Sequence, residues 1–237
     1  MIATTLHQIE ISSRCCLSCP YCLWPILTRP KQDMPALIWE AAMRWLAHFI
    51  MAGTQGDLVL TGTGESTLHP DLCAMVAEAR QVLGNSQRLL LTTNGIGLTD
   101  AHVSAFVAAN VRCYVSLHRP EKAERAVWML AEAGLLEQAV MDPVLGANSW
   151  AGQVDWPDRI MESEQARKPV CPWLSRGWLF CASDGTLYDC CYANGTAPVR
   201  GHVSTPVQNI SPQPWQVCPK CWQRPPTFHE LSPEVTR

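Results

Sequence analysis

The densest concentration of chemistry in the chain is the run Ile11-Ser12-Ser13-Arg14-Cys15-Cys16-Leu17-Ser18-Cys19-Pro20-Tyr21-Cys22, which follows the first strand-like segment. Cys15, Cys19 and Cys22 stand in a C-x3-C-x2-C spacing, and a loop so spaced can wrap three thiolates around one metal cluster. On a four-iron cluster, three protein ligands leave one iron without a protein partner, whereas four would close it. An open iron can bind a substrate or cofactor, by the logic that separates open catalytic zinc sites from closed structural ones. A zinc knuckle is the competing reading, but such sites usually pair a C-x2-C with a second, distant pair. Cys16 does not fit the spacing and reads as a neighbour of the ligands.

Three later segments carry groups suited to a polar ligand. Leu60-Thr61-Gly62-Thr63-Gly64-Glu65 sets glycines, which let a backbone approach a ligand closely, beside a carboxylate that can accept hydrogen bonds from an ammonium group. Thr92-Thr93-Asn94-Gly95 offers an Asn-Gly that either bonds a ribose or makes a turn. Val115-Ser116-Leu117-His118-Arg119 offers the Ser116 hydroxyl, with His118 and Arg119 beyond it.

Six of the 12 cysteines fall after residue 170. Two strand-like runs, 177–182 and 186–190, flank Ser183-Asp184-Gly185, and Asp-Gly between such runs signals a hairpin. Cys171 precedes this hairpin, Cys190 and Cys191 end it, and Cys218-Pro219-Lys220-Cys221 follows. Cys171, Cys190, Cys218 and Cys221 could bring four thiolates to one point, with Cys191 able to replace Cys190. A four-cysteine structural zinc site has the same spacing logic. Cys181 lies mid-strand and reads as packed, as do Cys73 on a helix and Cys113 on a strand.

The elements that must position these groups alternate. Strand-like runs at 8–12, 57–60, 88–92, 111–117 and 139–145 are separated by helical patterns at 35–51, 70–82, 99–109 and 121–133. In the first helix Leu37, Met43, Leu46 and Ile50 recur at helical spacing, and Thr99 reads as the cap of the third. This rhythm predicts parallel βα units. Five strands are too few for a closed eight-stranded barrel, so the expected fold class is α/β, an open partial (β/α) barrel with a small C-terminal hairpin module. Ligands in such folds sit at the C-terminal strand ends, where all four motifs fall. The expected organisation is a barrel over 1–146, a connecting segment over 147–170 and a cysteine-bearing module over 171–237.

Composition narrows the setting. A net charge of −3 over 237 residues gives no strong field for nucleic acid or anionic membrane. No apolar run approaches the roughly 20 residues of a membrane span. The N-terminus lacks the basic and apolar regions of a signal peptide, so the expected location is cytoplasmic, with no membrane partner. Twelve thiols in such a chain point to metal or redox chemistry rather than to disulfides. The 10 tryptophans read as core and interface residues.

The triad, its place after the first strand and Tyr21 just before the last cysteine resemble the radical S-adenosylmethionine (SAM) superfamily. The resemblance implies a 4Fe-4S cluster on Cys15, Cys19 and Cys22, with SAM chelated by the open iron and cleaved to a 5′-deoxyadenosyl radical that abstracts hydrogen from a substrate. The 62–66 segment is similar to the family's Gly-Gly-Glu-Pro motif, with Thr63 and Ser66 as departures. That similarity implies that Gly64 and Glu65 contact the SAM amino group. Asn94 and Ser116 match positions near the ribose. The tail resembles the twitch module, the shortened relative of the SPASM domain. It implies a second, auxiliary 4Fe-4S cluster on Cys171, Cys190, Cys218 and Cys221. Related modules act on small ring alcohols, nucleotides or peptides. A small-molecule, nucleotide or peptide substrate is therefore implied, with oxidation or rearrangement as the outcome and a flavodoxin- or ferredoxin-like reductant. The residues that move substrate protons are not legible.

Overall fold

The computed structural model of the chain describes residues 3–117, 119–140, 150, 153–154, 171–207, 210, 216 and 218. Its first part alternates as the sequence predicts: β1 (Thr5–Ile9), α1 (Ala36–Met51), β2 (Leu58–Leu60), α2 (Leu72–Leu83), β3 (Leu89–Thr93), α3 (Asp100–Ala108), β4 (Val111–Ser116), α4 (Pro120–Glu132) and β5 (Leu136–Val140). A short helix, Pro172–Ser175, then leads into β6 (Trp178–Cys181), β7 (Thr186–Tyr188) and β8 (Gly201–His202).

The helix ends follow local chemistry. Pro35, extended and without a hydrogen to donate, precedes α1. Thr99 accepts from His102 N while the His102 ring accepts from Thr99 N, a capping box that starts α3. Pro120 occupies the first turn of α4. The core face of α1 is Trp39, Ala42, Met43, Leu46 and Phe49, packed under the sheet. Leu37, expected on that face, is 75% exposed. It stands in the first turn of the helix, where Trp39 is the first side chain to be buried.

One eight-stranded sheet runs in the order β5-β4-β3-β2-β1-β6-β7-β8. Neighbours from β5 to β6 are parallel; β7 and β8 join antiparallel. The sheet is therefore the open, partial barrel expected, and the C-terminal hairpin extends it by pairing β6 with β1. Strand alternation sorts the side chains. Val111, Cys113 and Val115 of β4 are buried towards the helices, and Arg112, Tyr114 and Ser116 occupy the half-open inner face.

Two strands lie earlier than the sequence suggests. β1 is Thr5–Ile9 rather than 8–12, because residues 10–13 leave the sheet to form the stem of the cysteine loop. β5 is Leu136–Val140 rather than 139–145: Gly134, at φ 67°, ends α4 sharply, and Cys113 N donates to Leu135 O, locking the next residues onto β4. Residues 141–145 fall outside the described set. Cys113 and Cys181 are fully buried as expected, whereas Cys73 is half-buried, its thiol 3.7 Å from Ala101 O between neighbouring helices. Among the described residues no helix is long and apolar enough to cross a membrane.

Candidate functional site

The cysteine loop is closed by its stem. Ser13 N donates to Gln32 O at 2.9 Å, Gln32 N donates to Ser13 Oγ at 2.8 Å, and Ser12 Oγ donates to Asp33 at 2.7 Å. The Trp24 indole donates to Ser13 O at 2.9 Å from the far side of the loop. Within it, Cys22 N donates to Cys19 O at 3.0 Å, the turn that gathers the last two cysteines.

The glycine–acid loop after β2 packs directly on this stem. A Cβ on Gly64 would lie 2.3 Å from Ser12 O and 2.6 Å from Arg14 O, so only glycine lets the two backbones cross. Glu65 N donates to Arg14 O at 2.7 Å, which fixes the crossing. The Glu65 side chain is buried, and its carboxylate accepts from Thr67 N (3.1 Å), Thr67 Oγ1 (2.8 Å), Thr93 Oγ1 (2.6 Å) and Asn94 N (2.7 Å). It ties the ends of β2 and β3 together. Asn94 in turn reaches the cysteine loop: its Nδ2 lies 3.4 Å from Cys16 Sγ and 3.9 Å from Cys15 Sγ, while its Oδ1 accepts from Ile96 N. Gly95, at φ 77°, turns the chain there.

A second buried carboxylate, Glu10, escaped the reading of the sequence. It is 0% exposed and pairs with Arg29, itself 6% exposed, through both guanidinium nitrogens. Glu10 also accepts from Thr63 N at 2.7 Å and Ser183 N at 3.3 Å. One ion pair thus joins β1, the chain after the triad, the glycine loop and the hairpin turn. A buried acid in an alternating strand was the available signal, but its partners lie up to 173 residues away.

These pieces surround a cavity of about 270 Å³. Cys15, Cys19 and Cys22 edge it, together with Tyr21, Gly64, Glu65, Asn94 and Ser116. The structure therefore brings together the cysteine triad, Tyr21, Gly64, Glu65, Asn94 and Ser116; Arg119 lies instead at the start of α4, and His118 lies outside the described residues. Gln8, Thr61 and Thr92 add a polar floor, and Trp24, Leu17 and Trp150 an apolar wall.

The donor set fits an iron–sulfur cluster. Burial pushes the Cys15 thiol up to about 12, with Glu65 and the neighbouring thiols adding to the push, and burial raises Cys22 as well. Clustered, buried thiols are what a cationic metal core would relieve. Backbone donors already point at the sulfurs: Leu17 N at 3.4 Å from Cys15 Sγ and Trp24 N at 3.4 Å from Cys22 Sγ. Such bonds hold a thiolate ligand and tune a cluster's potential. Among the described residues no three His, Cys, Asp or Glu side chains close on one point as a single bound ion requires.

The tail contributes a second thiol group. Burial raises Cys171 to about 11, with Cys190 and Cys218 each adding a further upward push. Cys171 and Cys190 share a small core with Trp173, Phe180 and Tyr188, separate from that of the barrel. Cys221 lies outside the described residues. Cys191, the alternative to Cys190, packs against the same core and also edges the main cavity.

No family model matches the chain. The chain is 31% identical over 121 residues, 49% of its length, to the PqqA peptide cyclase of Rhizobium meliloti (strain 1021), and the match spans 30% of that protein. Among solved structures it resembles BtrN in complex with AdoMet and 2-DOIA, at TM-score 0.68 and 17% identity over 86% of this chain and 79% of the other. It also resembles native anSMEcpe with bound AdoMet and Cp18Cys peptide, at TM-score 0.57 and 12% identity over 84% and 77%. These are radical SAM proteins, and the resemblance read from the cysteine triad extends to their fold and, over 121 residues, to the sequence of one of them, of which the chain spans about a third.

Proposed function

We propose that this chain is a radical SAM enzyme that reductively cleaves SAM and abstracts hydrogen from a small polar substrate. The observation that carries the reading is the convergence, on one cavity, of three cysteines and the ends of four parallel strands. Cys15, Cys19 and Cys22 would hold a 4Fe-4S cluster, which supplies the electron that breaks SAM when bound. The chain's own residues position and exclude. Gly64 and the Glu65 bonds fix the cysteine loop over the strand ends. Backbone carbonyls of the glycine loop and the Asn94 and Ser116 side chains offer polar contacts to an amino acid and a ribose. Trp24, Leu17 and Trp150 shield one side from water. Gln8, Thr61 and Thr92 on the floor suit hydroxyl or amide groups on the substrate. Cys171, Cys190 and Cys218, with Cys221, would hold a second 4Fe-4S cluster in a module spanning 171–237. A flavodoxin- or ferredoxin-like protein would supply electrons.

The test is 5′-deoxyadenosine formation by the anaerobically reconstituted chain under reduction. The intact chain is expected to form it and Cys19→Ala to lose it; persistence in the variant rejects the cluster assignment. About eight irons per chain are expected, falling to about four in Cys218→Ala. Unchanged iron in that variant rejects the second site.

A peptide substrate is the second reading, favoured by the shared sequence with a peptide cyclase. SAM-dependent mass change in a panel of small polyols and nucleotides supports the first reading; a change confined to peptides supports the second.

A further inference from the structure

The peptide joining Gly62 to Thr63 runs between the cavity and the Glu10–Arg29 pair. Both loop residues line the cavity, and the fully buried Glu10 side chain lies against the loop. A Cβ on Gly62 would overlap that side chain, so only glycine lets the loop pass this close. Thr63 N donates to Glu10 Oε1 at 2.7 Å. In a planar trans peptide the N–H and the preceding carbonyl point in opposite directions. With the Thr63 N–H turned onto Glu10, the Gly62 carbonyl is turned away from it, to the cavity side of the loop. Among the described residues no N–H or O–H donates to that carbonyl.

Arg29 fixes the carboxylate in turn. Its two terminal nitrogens bond both Glu10 oxygens, Nη2 at 2.7 Å, and Nη2 also reaches Thr63 Oγ1 at 3.3 Å. The guanidinium lies 5.7 Å from the Phe180 ring centroid, and Ser183 N of the hairpin turn donates to Glu10 Oε2 at 3.3 Å. Thr63, a departure from the Gly-Gly-Glu-Pro pattern, is thus held through both its N–H and its hydroxyl.

Stability alone does not account for this arrangement. A buried ion pair loses its hydration, and well-packed apolar residues in its place are often as stable or more so. Arg29 Nε is buried with no hydrogen-bond partner among the described residues, a further cost. What the pair does supply is a fixed peptide orientation at the edge of a ligand cavity. An acceptor set in advance needs no reordering when the ligand arrives.

Building on the radical SAM reading, we propose that Glu10 and Arg29 are positioning residues for the cofactor: they hold the Gly62–Thr63 peptide so that the Gly62 carbonyl is presented to the amino group of SAM. Neither side chain touches the cofactor; both act through the loop.

The test is a binding measurement on the iron-loaded full chain with its cluster oxidised, so that no SAM is cleaved. The intact chain is compared by calorimetric titration with two variants. Glu10→Met with Arg29→Met removes the acceptor for Thr63 N without stranding a charge. Glu10→Gln with Arg29→Met returns an amide oxygen that can accept from it. The ligands are SAM and 5′-methylthioadenosine, which keeps the nucleoside and the sulfur but has no amino acid. The first variant is expected to bind SAM about tenfold or more weakly than the intact chain does, and 5′-methylthioadenosine to within about twofold of it. The second variant should recover most of the SAM affinity. An equal loss for both ligands would mean a cavity loosened as a whole and overturns the proposal. So does an unchanged SAM affinity, or a second variant no better than the first. No SAM binding by the intact chain overturns the radical SAM reading instead. A further measurement needs no variant: in the intact chain without SAM, hydrogen exchange should find the Thr63 amide already protected. A fast-exchanging amide that slows only on adding SAM overturns the claim that the peptide is set in advance.

Discussion

The barrel mouth and the C-terminal hairpin each gather thiols, but they hold them in different ways. At the mouth, loops after parallel strands are cross-braced by two buried carboxylates, Glu10 and Glu65, which between them accept hydrogen bonds from four loop segments. At the hairpin, a separate apolar core around Trp173, Phe180 and Tyr188 does the holding, with an Arg200–Asp189 ion pair at 3.1 Å beside it. The polar bracing fixes a geometry and costs desolvation; the apolar core supports thiols without fixing the loops between them. A site that must orient a reacting cofactor benefits from the first arrangement, and a site that only holds a cluster is served by the second.

The largest expected effect breaks the bracing at its centre. Glu10→Ala leaves Arg29 buried without its partner and should destabilise the fold by about 3–5 kcal/mol, read by denaturant unfolding. The paired replacement Glu10→Met with Arg29→Met should cost much less than that. Equal losses would mean that the ion pair is not what joins the two regions.

The junction between the regions should also respond to acid. His7 on β1 stacks on Trp178 of β6 with ring centroids 3.7 Å apart and meets Trp173 edge-on at 5.5 Å. Burial lowers its pKa from 6.5 to about 4. In the window between those values the unfolded chain binds the proton and the folded chain does not, so stability rises with pH. Acidification from pH 7 to pH 4 should therefore remove up to about 3 kcal/mol through this group. His7→Phe should flatten that part of the stability-versus-pH curve, and an unflattened curve would place the acid sensitivity elsewhere.

A smaller effect should separate bracing from chemistry. Gly64→Ala forces a methyl group onto the Ser12 and Arg14 carbonyls and should cost about 1–3 kcal/mol. Iron bound at the triad should fall, while iron retained by the hairpin region should not. Smallest of all, Thr99→Ala removes the α3 cap, far from both thiol groups. It should lower stability by about 1 kcal/mol and leave iron content as it was.

Much of this was open to reading in the residues themselves. The βα rhythm, the Thr99 cap, the Asp-Gly hairpin turn and the C-x3-C-x2-C triad are local signals, set by neighbours within a few positions. The strand-end rule then sufficed to put Gly64, Glu65, Asn94 and Ser116 around one cavity. The early start of β5 was also a local matter, fixed by Gly134, but the alternating 139–145 run offered a competing strand.

Tertiary structure decided what depends on distant partners. That β6 pairs with β1, that Gly64 is small because another backbone crosses it, and that Glu10 is a hub rather than a surface strand residue all follow from segments far apart in the chain. Spacing determines which side chains a short loop can bring together. What seats the hairpin end against the cysteine loop is the packing of Leu23, Val154 and Tyr192, residues from three separate segments that only the folded chain brings into contact.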